Sequence, residues 1–169
     1  SAGVNHIQVS KPVFEKLAFG KRAEGIVATA KIPARKLDAL QLPDDAVIAV
    51  LEGIEKPGNV GAMLRTADAA GINAVLLADP ATDLFNPNAI RASQGAVFTL
   101  PIAAVGIREI QQWLTQRTYQ VLAARVDAQY DYRQADYTGP TAILLGSEAE
   151  GISPAWQKFN TTNIRLPMR

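Results

Sequence analysis

The sequence predicts an α/β fold with a mostly parallel sheet and helices on both faces, and three observations predict it. Short runs that are apolar throughout, Val47–Val50, Ala74–Leu77 and Ala142–Leu145, have the chemistry of strands covered on both faces. Other segments carry apolar residues at helical spacing, most clearly Val60, Met63, Leu64 and Ala67. The two kinds alternate along the chain, which is the order that parallel strands with intervening helices require.

The first forty-odd residues depart from that alternation. Pro12–Lys16 reads as a short helix and Gly25–Lys31 as a strand with no obvious helical partner. Residues 31–44 are loop-prone, with Pro33, Pro43 and the Asp44-Asp45 pair. Residues 1–44 are therefore expected to be the tail of a preceding module plus a linker, and residues 45–169 the main domain. Within it, Val47–Val50 is followed by Gly53, Pro57 and Gly58, which break regular structure. A helix then runs from Val60 to Ala70, with Gly71 where a left-handed residue would end it.

After the strand Ala74–Leu77, Asp79-Pro80 begins a loop, and Pro87 precedes a short helical stretch from Ala89 to Ser93. Ala96–Leu100 reads as strand. Ile107–Arg117 reads as an amphipathic helix with Ile107, Ile110 and Leu114 on one side. Tyr119–Ala123 and Ala142–Leu145 are further strands. Ser153-Pro154 opens a last helix with a capping hydroxyl and proline at the first helical position, and Asn163–Leu166 is a final strand. Sheets of this kind place their sites beyond the carboxyl ends of the strands. Residues 52–61, 79–88 and 146–151 are thus expected to converge.

Composition narrows the function. Of 169 residues 48% are hydrophobic and 20% charged, the balance of a globular protein able to bury a core of its own. There is no cysteine and only His6, which removes disulfides and thiolate metal sites and leaves too few nitrogens for a typical zinc site. No apolar run approaches the roughly 18–20 residues of a membrane span, so the expected location is the cytoplasm. The net charge of +1 neither favours nor opposes a nucleic-acid partner, because basic residues can gather on one face.

Common nucleotide and hydrolase fingerprints do not fit. Gly53, Gly58 and Gly61 lack the dinucleotide spacing, and Gly146–Gly151 is followed by Ile152-Ser153 instead of the Lys-Ser/Thr of a phosphate loop. Ser147 is not in a nucleophile elbow. Four other segments are more specific. They are Glu55-Lys-Pro-Gly-Asn-Val-Gly-Ala-Met-Leu-Arg-Thr-Ala-Asp-Ala-Ala-Gly71, Asn86-Pro-Asn-Ala-Ile-Arg-Ala-Ser-Gln-Gly-Ala96, Leu144-Leu-Gly-Ser-Glu-Ala-Glu-Gly-Ile152 and Ile164-Arg-Leu-Pro-Met168. In this order they resemble the signatures of the SpoU (TrmH-like) RNA ribose 2′-O-methyltransferases of the SPOUT superfamily, over about residues 45–169.

That resemblance implies a SPOUT-type fold with a C-terminal trefoil knot, S-adenosylmethionine as cofactor, no metal, ribosomal or transfer RNA as substrate, and a homodimer. In the family the third signature continues past Pro-Met into a closing helix. The domain is accordingly expected to be incomplete at its C-terminus, with the last segment of the knot beyond Arg169. Residues 1–44 correspond to the remnant of an N-terminal RNA-recognition domain plus linker.

The resemblance also assigns residues. Arg65 matches the family's proposed catalytic arginine. A guanidinium is a poor base, so its physical role is to grip an RNA phosphate and orient the ribose, and the family's homodimer implies that it serves the other subunit's site. Judged without the motif, Arg65 is a surface cation able to pair with Asp68. Asn59 either caps the helix that follows or also contacts Arg65 or RNA. Gly61 leaves room beside the guanidinium or is a packing glycine. Glu148 is the motif carboxylate, expected to hold Asn59 or Arg65 or to touch substrate, whereas Glu150 reads as solvated loop. Gly146 and Leu166 match positions whose backbones hold the cofactor, and Ile152 and Met168 line the adenine pocket or the core. Arg91, Ser93 and Lys56 are candidate RNA contacts or plain helix surface. The alternative to an enzyme is a non-catalytic RNA-binding relative that has lost cofactor binding.

Overall fold

Beginning at Val47, the chain builds seven parallel strands. They are β1 (Val47–Glu52), β2 (Ala74–Ala78), β3 (Ile102–Val105), β4 (Gln120–Ala124), β5 (Tyr130–Asp131), β6 (Thr141–Leu145) and β7 (Thr162–Arg165), in the spatial order β3-β2-β1-β6-β4-β7-β5. The computed structural model describes residues 5–20, 25–33 and 35–167. The register runs from Ile48↔Ala74 to Glu52↔Ala78 between β1 and β2, and from Val47↔Thr141 to Leu51↔Leu145 between β1 and β6. The first three strands step outward in one direction and the chain then moves to the other side of β1. That reversal makes the gap beyond β1 and β6 a switch point, where open α/β sheets form their crevices.

The helices are α1 (Lys11–Leu17), α2 (Pro57–Ala69), α3 (Pro87–Ser93), α4 (Ala96–Thr99) and α5 (Ile107–Gln116). Side-chain alternation splits the core of the sheet into two layers. Ile48 and Val50 of β1 point toward α5, where Ile110, Trp113 and Leu114 are buried together with Trp156. Ala49 and Leu51 point the other way, toward Val60, Leu64 and Ala67 of α2 and Val97 after α3. Helices thus cover both faces, as expected from strands that are apolar throughout.

The chain divides into two compact units, residues 1–33 and 34–169. In the first, α1 buries no residue and carries an exposed Lys11–Glu15 ion pair at 3.9 Å. Gly25–Lys31, expected as a strand, forms none among the described residues. The second unit takes in the end of the segment read as linker, where Leu37 and Leu40 are buried in the core. Next to them Arg35 donates to the carbonyls of Val97 (2.9 Å) and Leu100 (3.3 Å), and its guanidinium lies over the Phe85 ring.

Two further expectations are corrected. Ala96–Leu100 is not a strand: residues 96–99 form α4, preceded by two left-handed residues, Gln94 (φ 51°) and Gly95 (φ 97°), and the strand begins at Ile102 after Pro101. So short a mostly apolar run cannot distinguish helix from strand by periodicity. Ser153-Pro154 does start a helical segment, with Ser153 Oγ accepting from Ala155 N, but it stops after one 3-10 turn, Pro154–Trp156.

Candidate active site

The site forms where the sheet's switch point meets the start of α2. Beyond β1 the chain turns through Gly53 (φ 64°) and enters α2 at Pro57, whose fixed φ and missing N–H suit the first helical turn. Beyond β6 the chain doubles back on itself. Ser147 N donates to Gly151 O (3.0 Å) and Gly151 N to Ser147 O (3.1 Å), closing a tight loop. Gly146 makes that closure possible, since a Cβ there would lie 2.1 Å from the Gly151 carbonyl carbon. The close approach that a glycine was expected to allow at this point is therefore taken up by the chain's own backbone.

The two segments enclose a hollow of about 350 Å³ lined by Gly53–Lys56, Asn59, Ala62, Met63 and Gly146–Ala149. At its mouth Asn59 Nδ2 donates to Glu148 Oε1 at 2.8 Å, and Lys56 Nζ lies 3.9 Å from Glu148 Oε2. The structure thus brings together Asn59, Glu148, Lys56 and Gly146, residues 89 apart in sequence at the Asn59–Glu148 bond. Glu148 holds Asn59, one of the two partners expected for it. The other, Arg65, makes no bond to it. Arg65 is exposed on α2, does not line the hollow, and has no hydrogen-bond or ion-pair partner among the described residues; the pair with Asp68 is not formed.

Gly61 is settled as a packing glycine. A Cβ on it would meet Ala89 O at 2.3 Å, Ala92 Cβ at 2.7 Å and Ser93 N at 2.9 Å, so α3 lies directly on α2 there. The same contact corrects Ser93. It is 1% exposed and its hydroxyl donates to Ile90 O at 2.8 Å, which places it inside the helix contact and away from any RNA. Arg91, two residues earlier, is exposed.

A second hollow, about 290 Å³, lies on the other side of the 146–153 loop at the ends of β4 and β7. Ala123, Ala128, Ile152 and Trp156 give it apolar walls, and Arg125, Ser153 and Asn163 are among its polar groups. Arg125 and Asp127 pair at its edge at 2.9 Å, and that hydrogen bond holds the Asp127 carboxyl below its usual range. Ile152 is half-buried against the core and also lines this hollow. Leu166, expected to offer its backbone to the cofactor, has a side chain 52% exposed and outside the core. Met168 lies outside the described residues.

Sequence reasoning missed Glu52. It is the last residue of β1, 5% exposed, and its Oε2 accepts from the backbone N–H of Ser153 at 3.0 Å. The available signal was an acid that directly ends a strand apolar in every other position.

Residues 46–169 match the family described as the SpoU rRNA Methylase family. The chain belongs to the SpoU rRNA methylase family. Among SpoU relatives it is 31% identical over 173 residues to the 23S rRNA (guanosine-2′-O-)-methyltransferase RlmB of Ralstonia nicotianae, covering 99% of this chain and 70% of that one. A solved RNA 2′-O ribose methyltransferase superposes with a TM-score of 0.82 at 40% identity, over 96% of this chain and 62% of that chain. The SpoU methyltransferase AviRb of Streptomyces viridochromogenes, solved with its cofactor AdoMet, superposes with a TM-score of 0.77 at 29% identity, over 82% and 55%. The chain thus spans between 55% and 70% of the length of these SpoU proteins.

Proposed function

We propose that this chain carries the methyl-transferring unit of an enzyme that moves a methyl group from S-adenosylmethionine to a ribose 2′-hydroxyl of 23S ribosomal RNA. The observation that carries the reading is the Asn59–Glu148 hydrogen bond across the switch-point hollow, formed by two SpoU signatures that are far apart in sequence. Residues 1–44 are read as the end of an RNA-recognition module and its linker, and the enzyme as a cytoplasmic homodimer.

The cofactor fits the chemistry of the second hollow. Its apolar walls at Ala123, Ile152 and Trp156 suit an adenine ring, and the polar groups of Ser153 and Asn163 suit the ribose and amino-acid portions. When bound, the cofactor supplies a methyl group on a positively charged sulfur. Everything else falls to side chains. A ribose hydroxyl is a weak nucleophile while protonated, so the unit must hold it in line and exclude other orientations. Lys56 and Arg91, both exposed cations, suit contacts to RNA phosphates. Glu148 fixes the Asn59 amide so that its carbonyl oxygen stays available to a hydroxyl. Arg65, exposed and outside the hollow, suits a role at the site of the second subunit, where its fork grips the phosphate next to the target ribose.

The test is transfer of labelled methyl from S-adenosylmethionine to 23S rRNA by the full-length protein, with the product nucleoside identified after digestion. A 2′-O-methylated nucleoside is expected, and Asn59→Ala and Arg65→Ala should each lower its formation by about 100-fold. Tight RNA binding with neither methyl transfer nor cofactor binding would replace this reading with a non-catalytic RNA binder.

A further inference from the structure

Glu52 is the only acidic side chain that is buried among the described residues. A carboxylate so placed ordinarily needs a cation or several donors to offset its lost hydration. Among the described residues no cation pairs with it, and the hydrogen bond it makes is the one from Ser153 N–H. A buried carboxylate at the carboxyl end of a central strand stands where open α/β sheets place their sites.

Its direction on the strand shows what it does. Glu52 continues the Ile48, Val50 alternation and so faces the α5 layer, while Glu148 reaches the α2 layer through Asn59. The 146–153 loop therefore crosses the carboxyl edge of the sheet and is tied down on both sides. Glu148 anchors it over α2, and Glu52 anchors it at Ser153 on the opposite face. At the start of the loop Gly146 presses on the Gly151–Ile152 backbone, and Gly53 sits so near that its missing Cβ would stand 3.3 Å from Ser147 Cβ. The same stretch contributes Glu148 to one hollow and Ile152 and Ser153 to the other.

We infer that Glu52 is a positioning residue that sets the height of the 146–153 loop over the sheet edge, and so aligns the hollow under Asn59 and Glu148 with the hollow under Ile152. This rests on the methyl-transfer reading for its effect on turnover, and on the structure alone for its effect on the loop. Glutamine at 52 keeps an oxygen able to accept from Ser153 N–H, whereas alanine removes it. Ser153 has φ −66°, which proline adopts without strain, so Ser153→Pro deletes the donor and Ser153→Ala keeps it.

The experiment compares amide exchange across residues 147–153 and turnover at saturating RNA and cofactor, in the full-length protein. Glu52→Ala and Ser153→Pro should each speed exchange at Gly151 by about tenfold and slow turnover by about tenfold. Glu52→Gln should stay near wild type in both, and Ser153→Ala, which keeps the backbone donor, should stay near wild type in loop exchange. Adding Glu52→Ala to Glu148→Ala should cost little further turnover, because both losses pass through one loop. Unchanged loop exchange in Glu52→Ala, or losses that multiply in the double variant, would overturn the inference. A wild-type protein without methyl transfer would sink that reading alone, and the exchange comparison would still decide the anchor.

Discussion

On the α2 face of the sheet, two helices approach so closely that one residue along α2 has no room for a methyl group. On the α5 face the space is filled by bulk: Trp113 stacks on Tyr119 with ring centroids 5.4 Å apart, and Trp156 meets Phe159 edge-on at 5.5 Å. The first face is specified by absence of volume and tolerates no addition. The second is specified by large aromatics, and it leaves the indole N–H groups of both tryptophans buried without a partner among the described residues. The contrast follows function. The face that carries Asn59 and Lys56 must hold α2 at a fixed height over the hollow, and direct backbone contact is the least compressible way to do so.

The sharpest test of that contrast is Gly61→Ala. The new methyl would meet a backbone carbonyl at 2.3 Å, so α2 and α3 must separate. We expect a loss of about 3 kcal/mol in denaturant unfolding, the upper end for overpacking. Gly58→Ala, three residues before Gly61 on the same helix and with nothing within 4 Å of its added methyl, should instead be neutral or gain up to about 1 kcal/mol. Equal losses at both would mean that the helix contact is not what limits position 61.

The close-packed face has a second fastening at Arg35, whose guanidinium bridges Val97 O and Leu100 O. Arg35→Ala should cost about 2 kcal/mol, the range for hydrogen bonds to a charged group. Arg35→Lys should not restore it, because an ammonium cannot span both carbonyls as a fork does. Full rescue by lysine in thermal melts would show that charge alone matters there. On the aromatic face, Trp156→Phe removes volume but also removes an unpaired N–H. The two effects oppose, and the net change is expected to stay within about 1 kcal/mol. A loss as large as that of Gly61→Ala would erase the distinction between the faces.

How much of this was legible in the sequence follows the same division. Strands that are apolar in every position announced a sheet covered on both sides, and β1, β2, β4, β6 and β7 lie within a residue or two of where they were expected. Asn59, Lys56, Gly146 and Glu148 could be placed together because each follows or precedes a recognisable strand end. Ser93 could not be placed, since a seven-residue helix with two small faces gives no hint of which one meets Gly61. The helical run at 96–99 was misread for a related reason: four residues, three of them apolar, have no period to measure. Glu52 was hidden by the strand it ends. Its value depends on Ser153, 101 residues away, and no local pattern records such a pairing.

Away from both faces, the sheet ends at β5, where the smallest effect is expected. Asp131 accepts from Arg133 three times, at its backbone N (2.9 Å), Nε (2.9 Å) and Nη2 (2.7 Å), and these bonds hold its carboxyl well below the ordinary value of 3.8. Because the folded value is depressed, the stabilisation is complete above the unfolded value and is lost as pH falls through it toward the folded one. Comparing wild type with Asp131→Asn by thermal melts, wild type should be slightly the more stable near about pH 6, with the gap closing below about pH 3. The side chains are open to water, so the shift should be much smaller than any effect at Gly61 or Arg35. A gap that stayed constant with pH would mean that the difference arises from the neutral hydrogen bonds of the asparagine and owes nothing to the ion pair.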